Sequence, residues 1–114
     1  MKQAVTLKKN HEFRRLYQKG SSAAGGSMVI YCRKNRLGHN RLGLTASVKL
    51  GSAVVRNRCR RRLREVCRLS RGNLAAGYDL VVVARGRCLT APFQQLLRQF
   101  EAAGRKLGVW RDGT

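Results

Sequence analysis

The segment from Val54 to Arg71, VVRNRCRRRLREVCRLSR, holds eight arginines, no lysine and a single acid, Glu65. That density limits what the chain can fold into, because the positive charges repel one another and none can be buried without a partner. Wound at about 100° per residue, the segment places Val55, Cys59, Leu63 and Val66 at i, i+4, i+8 and i+11, and Cys67 widens the stripe. The arginines from Arg58 onward take the remaining arc of roughly 200°. The segment therefore reads as an amphipathic helix that packs one face inward and displays guanidinium groups outward. Ser52 stands where an N-cap oxygen is needed and Gly72 where a left-handed stop is needed, which predicts a helix from about Ala53 to Arg71.

Solvated helix faces usually mix signs at i, i+4, whereas Arg60, Arg64 and Arg68 stack like on like. Such a face calls for a polyanion. Arginine binds phosphate bidentately and stacks on bases, so the cluster points to folded nucleic acid. The whole chain agrees: 25 basic against 5 acidic residues give a net charge of +20 on 114 residues. With 43% hydrophobic residues it is no disordered basic tail, and its length suits one RNA-binding domain, 1–114, with an ordered core of about 7–107. No apolar run approaches the roughly 18 residues of a membrane span, and MKQAVTLKKN carries no signal-like apolar run. A cytoplasmic protein with no membrane partner is expected. Cys32, Cys59, Cys67 and Cys88 form neither a CxxC pair nor a zinc-like set with His11 and His39, so they read as buried thiols in a reducing compartment.

Elsewhere, Phe13, Leu16 and Tyr17 recur at helical spacing between a cap at Asn10 and a stop at Gly20, predicting a short helix over 10–19. SSAAGGS, Ser21 to Ser27, reads as a loop. MVIYCR, Met28 to Arg33, and RLGLTASV, Arg41 to Val48, read as the two strands of an antiparallel hairpin, with Leu42, Leu44, Ala46 and Val48 on one face. YDLVVVA, Tyr78 to Ala84, is apolar throughout and suits a strand covered on both sides. A last helix opens at Thr90 to Pro92, carries Phe93, Leu96, Leu97 and Phe100 inward, and ends near Leu107, with VWRDGT as a frayed tail. The expected class is α+β: a single small domain with an about four-stranded sheet, in the order α-β-β-(β)-α-β-α, and helices on one face. The other face, carrying Val29, Tyr31, Thr45 and Ser47, is left as a groove walled by the first helix. Aromatics beside basic groups there suit an unpaired nucleic-acid strand, although Phe13 also fits a plain core position.

FRRLYQKG, MVIYCR, LGLTASVKLGSAVVRNRCRRRLREVCR and YDLVVVAR, in this order and spacing, resemble the protein subunit of bacterial ribonuclease P over about Leu7 to Phe100. The most specific part is the RNR signature Arg56, Asn57 and Arg58, since asparagine is a poor helix former and gains little in a helix unless its side chain is used. The resemblance implies that Arg56, Asn57, Arg58, Arg60, Arg61 and Arg64, with Arg68 on the same helix, bind a catalytic RNA. It implies that a cleft formed by Phe13, Tyr17 and Tyr31, with Thr45, Ser47 and Lys49 at its edge, takes the single-stranded 5′ leader of precursor tRNA. It also implies an uncommon left-handed β-α-β crossover through the arginine helix, and Mg²⁺ held mainly by the RNA subunit and substrate. The chain departs from the family pattern at Val48, where a lysine is common, at Ser52, where asparagine is common, and in Gly25 to Ser27, which lacks a basic residue.

A protein that hydrolysed a phosphodiester alone would need clustered carboxylates to hold two metals. Glu12, Glu65, Asp79, Glu101 and Asp112 are scattered along the sequence, so no catalytic residue is assigned and the protein alone is not expected to be active. The expected function is that of a protein cofactor of the ribonucleoprotein endonuclease that removes the tRNA 5′ leader. A structural ribosomal RNA-binding protein shares the charge and size and is the alternative. A DNA regulator is disfavoured, because eight arginines on one helix would grip almost any duplex; a self-sufficient nuclease is disfavoured for want of carboxylates.

Overall fold

The computed structural model describes residues 5–6 and 10–112. In chain order the elements are β1 (Val5–Thr6), α1 (Asn10–Lys19), β2 (Ser21–Ala24), β3 (Met28–Lys34), β4 (Arg41–Thr45), α2 (Ala53–Ser70), β5 (Tyr78–Ala84) and α3 (Phe93–Leu107). One mixed sheet runs β1-β4-β5-β3-β2. Its four longer strands are extended at one edge by the two-residue β1, which pairs parallel with β4. The α+β class, the three helices and their order follow the sequence expectation.

The all-apolar β5 takes the centre. It lies parallel to β4 (Leu42 opposite Leu80) and antiparallel to β3 (Ile30 opposite Val82), so β4, α2 and β5 form a β-α-β unit. The expected hairpin between β3 and β4 is thereby overturned: the two strands are antiparallel but β5 separates them. A strand that is apolar on both faces gains most from a central place, and the connection from Asn35 to Asn40 is long enough to cross two strand spacings of about 4.8 Å each. Arg36 (φ 61°) and Gly38 (φ 79°) turn that connection through left-handed backbone.

SSAAGGS is not simply a loop. Ser21 to Ala24 form edge strand β2, which pairs antiparallel with β3 and buries Ala23. Small residues carry little intrinsic strand preference, so this strand exists through its pairing rather than its propensity. β4 ends at Thr45, earlier than expected. Val48 to Leu50 form a 3-10 turn capped by the Ser47 hydroxyl, which accepts from Lys49 N at 3.0 Å, and Val48 points into solvent at 73% exposure rather than inward.

Met28, Ile30, Cys32, Leu80, Val82 and Ala84 line one sheet face and pack on Cys59, Leu63 and Val66 of α2 and on Leu96 and Phe100 of α3. The apolar stripe of α2 is buried as its spacing predicts. Not all helices share that face. Leu16 of α1 packs on Val81, with Phe13, Tyr31 and Val83 around them, so α1 lies on the opposite face.

Ser52 caps α2, its hydroxyl accepting from Val55 N at 3.4 Å. The helix ends at Ser70 and passes into a 3-10 turn over Arg71–Asn73, so Gly72 is not the left-handed stop expected of it. Continuing right-handed carries Leu74 to a bridge with Trp110. Val109 and Trp110, after α3, are packed rather than frayed, and Gly113 and Thr114 lie outside the described residues. Gly108 (φ 77°) turns the chain back, Val109 is 1% exposed, and Trp110 meets Phe100 edge-to-face at 6.4 Å. All four cysteines are free and buried; burial raises the Cys67 and Cys88 thiols to about 12.

Candidate nucleic-acid interface

Helix α2 sorts its arginines by angle. Arg58, Arg61, Arg64 and Arg68 are exposed, as is Asn57, while Arg56 and Arg60 are half-buried. Arg60 donates to the Asn57 side-chain oxygen one turn back, so the asparagine of the RNR signature holds a guanidinium in place. The Nε of Arg56 is buried with no hydrogen-bond partner among the described residues. Arg68 forks onto Glu65 at 2.8 and 2.6 Å, which holds the Glu65 carboxyl below its usual range. Among the described residues no acid pairs with Arg58, Arg61 or Arg64.

Arg62 does not belong to the outward arc in which the sequence placed it. Its Nη1 donates to the carbonyls of Cys88 at 2.6 Å and Leu89 at 2.8 Å, and its Nη2 to that of Ala91. It thus ties α2 to the turn that precedes α3. Its position three residues after Cys59 borders the apolar stripe, which was the available signal; the unpaired carbonyls it meets lie 26 or more residues away and leave no local trace.

On the opposite sheet face, paired residues share a side and form rows. Thr45, Val83 and Val29 make one row; Gly43, Val81, Tyr31 and Ser22 the next; Arg41, Asp79 and Arg33 a third. Helix α1 covers the middle row through Leu16 and Phe13. Tyr17, 43% exposed, meets Tyr31 edge-to-face with centroids 4.9 Å apart. Phe13 packs on the Leu16–Val81 pair, as a core position would, and stays partly exposed. The three aromatics are therefore together, with Thr45 on the adjacent row. Ser47 and Lys49 follow on the capped turn beyond β4, where the Ser47 hydroxyl is engaged by Lys49 N.

Every Asp and Glu side chain, all five among the described residues, is bound to arginine. Glu65 meets Arg68; Glu101 (at 2.9 Å) and Asp112 share Arg105; Glu12 and Asp79 share Arg41 at 2.6 and 2.7 Å. Burial pushes the Asp79 carboxyl up, but hydrogen bonds from Arg41 and Asn35 outweigh it and hold it below its ordinary value. Arg105 likewise holds Asp112 low. Among the described residues no three His, Cys, Asp or Glu gather as a metal would require. Carboxylates neutralised by arginines at three separate places do not fit a Mg²⁺ site. Arg41, at the centre of one of these networks, was missed in sequence because both of its acids are distant along the chain.

A family model described as Ribonuclease P matches residues 1–108. A ribonuclease P protein component from Natranaerobius thermophilus is 43% identical over 100 residues, covering 88% of this chain and 87% of that one. One from Caldanaerobacter subterraneus subsp. tengcongensis is 41% identical over 113 residues, covering 98% and 97%. Among solved structures, the Staphylococcus aureus RNase P protein superposes with a TM-score of 0.82 at 33% identity, over 96% of this chain and 100% of that one. The Thermotoga maritima RNase P protein gives 0.75 at 27% identity, over 83% and 90%. Likeness over nearly the whole length, in sequence and in fold, assigns this chain to the ribonuclease P protein component family, the protein subunits of a tRNA-processing endoribonuclease.

Proposed function

We propose that this chain grips the catalytic RNA of ribonuclease P in the cytoplasm and leaves bond breaking to that RNA. The observation that carries the reading is the division of charge. Arg58, Arg61 and Arg64 stand exposed without acids among the described residues, whereas all five carboxylates are bound to arginines. Arg56, Asn57, Arg58, Arg60, Arg61, Arg64 and Arg68 form the RNA-facing side of α2, neutralising phosphates and releasing counterions. In the groove, Phe13, Tyr17 and Tyr31 offer ring faces to leader bases, and Thr45, Ser47 and Lys49 continue the path along the edge. Mature tRNA lacks the leader, so these contacts favour precursor over product. Mg²⁺ belongs to the RNA subunit and the substrate.

Incubating precursor tRNA and Mg²⁺ with protein alone, RNA subunit alone or both, and scoring 5′ cleavage, tests this. Cleavage is expected only where the RNA subunit is present, with the protein tightening precursor binding. Cleavage by the protein alone would overturn the assignment of chemistry to RNA.

A further inference from the structure

Helix α1, which carries Phe13 and Tyr17, is fastened at two points. At its C-terminal end, where Gly20 N closes the last helical turn onto Leu16 O at 2.9 Å, Gly20 sits so close to β3 that a Cβ there would stand 2.8 Å from the Cys32 carbonyl oxygen. Near its N-terminal end, Glu12 accepts from Arg41 Nη1 at 2.6 Å. Arg41 is not free to follow the helix. Its Nε and Nη2 donate to Asp79 Oδ1 and Oδ2 at 2.8 and 2.7 Å, a two-pronged bond that fixes the guanidinium plane. Asp79 also accepts from Asn35 Nδ2 at 2.9 Å, and Asn35 in turn donates to His39 O and accepts from Leu37 N within the β3–β4 connection. The sheet therefore aims an Nη1 N–H of Arg41 at a fixed point, and that point holds the carboxylate immediately before Phe13. The side chains of Arg41, Glu12 and Asp79 are only 26%, 18% and 14% exposed, so water screens the pair less than a surface bridge.

We propose that the Glu12–Arg41 pair is a positioning device that sets the gap between α1 and the sheet, and through it the preference for leader-bearing RNA. This rests on the groove taking the leader. Glu12 and Arg41 need not touch the leader. They act through Phe13 and Tyr17, whose separation from Tyr31 decides whether an unpaired base can enter between the helix and the strands.

The test uses reconstituted holoenzyme with Glu12→Gln, which keeps side-chain length but removes the charge, and Glu12→Asp, which keeps the charge but shortens the reach by one methylene. The ratio of precursor to mature tRNA affinity is expected to fall about 3- to 10-fold in both, while affinity for the RNA subunit stays within about twofold. A second readout needs no RNA: fluorine-labelled tyrosines should report an altered Tyr17–Tyr31 contact in both variants. An unchanged ratio with unchanged tyrosine signals, or an RNA-subunit affinity falling by the same factor as the ratio, overturns the proposal and leaves the groove reading standing. A wild-type holoenzyme with no precursor preference removes both.

Discussion

Arg61 and Arg62 are neighbours in the chain and have opposite surroundings. Arg61 is exposed, while Arg62 satisfies three carbonyls between β5 and α3. Removing a charged donor from carbonyls it partly covers costs about 2 kcal/mol. Arg62→Ala should therefore lower the urea midpoint clearly and Arg61→Ala hardly at all; equal stability losses would contradict the division. Asp79, in the Arg41 network, titrates at acid pH. Because Asp79 is held below its ordinary value, its contribution is fully present above about pH 4 and is lost as pH falls through the lower folded-state value. Asp79→Asn should lack that share, so its urea midpoint should fall less steeply than the wild type's on acidification below about pH 4. Identical steepness would show that the Asp79 pair adds nothing. Neither network was legible in sequence, since a fork between Arg41 and Asp79 spans 38 residues and follows no local period.

At the scale of elements, helical spacing of apolar residues located α1, α2 and α3, because each buries a stripe written in nearby residues, and an unbroken apolar run located β5. Cys59, Leu63 and Val66 show this most directly, all at 1% exposure or less. β2 was illegible for the opposite reason. Ser21, Ser22 and Ala24 are exposed and only Ala23 is buried, so no pattern marks the strand. The place of β5 between β3 and β4 was also hidden, because apolarity says that a strand is covered but not which strands flank it. Gly20 was read as a helix stop, and the structure adds that it is a point of close approach between α1 and β3. A methyl group there would lie 2.6 Å from Leu16 O and 2.8 Å from Cys32 O. Gly20→Ala should force backbone apart at a cost of about 2 kcal/mol, read as a lowered melting temperature. Wild-type stability in that variant would mean that α1 is not seated as closely as described.

At the scale of the whole molecule, the two sheet faces have different work. α2 and α3 close the larger core on one side, which frees the outer side of α2 to present charge. α1 covers only part of the other side, where Phe13, Tyr17 and Tyr31 gather. The arginine surface and the family were legible because charge density and the RNR signature are local in sequence. The groove was legible only as an uncovered face, since its width depends on Gly20, Glu12 and Arg41 together.

The salt dependence of binding between this protein and the RNA subunit tests the role of α2 most directly. Log affinity should fall steeply with log salt concentration, by about 0.7 to 0.9 for each phosphate neutralised. Replacing Arg58, Arg61 and Arg64 together with glutamine should weaken binding at low salt and reduce the slope by roughly two units, without lowering the melting temperature. A slope and affinity unchanged from wild type would contradict the assignment of this face to RNA.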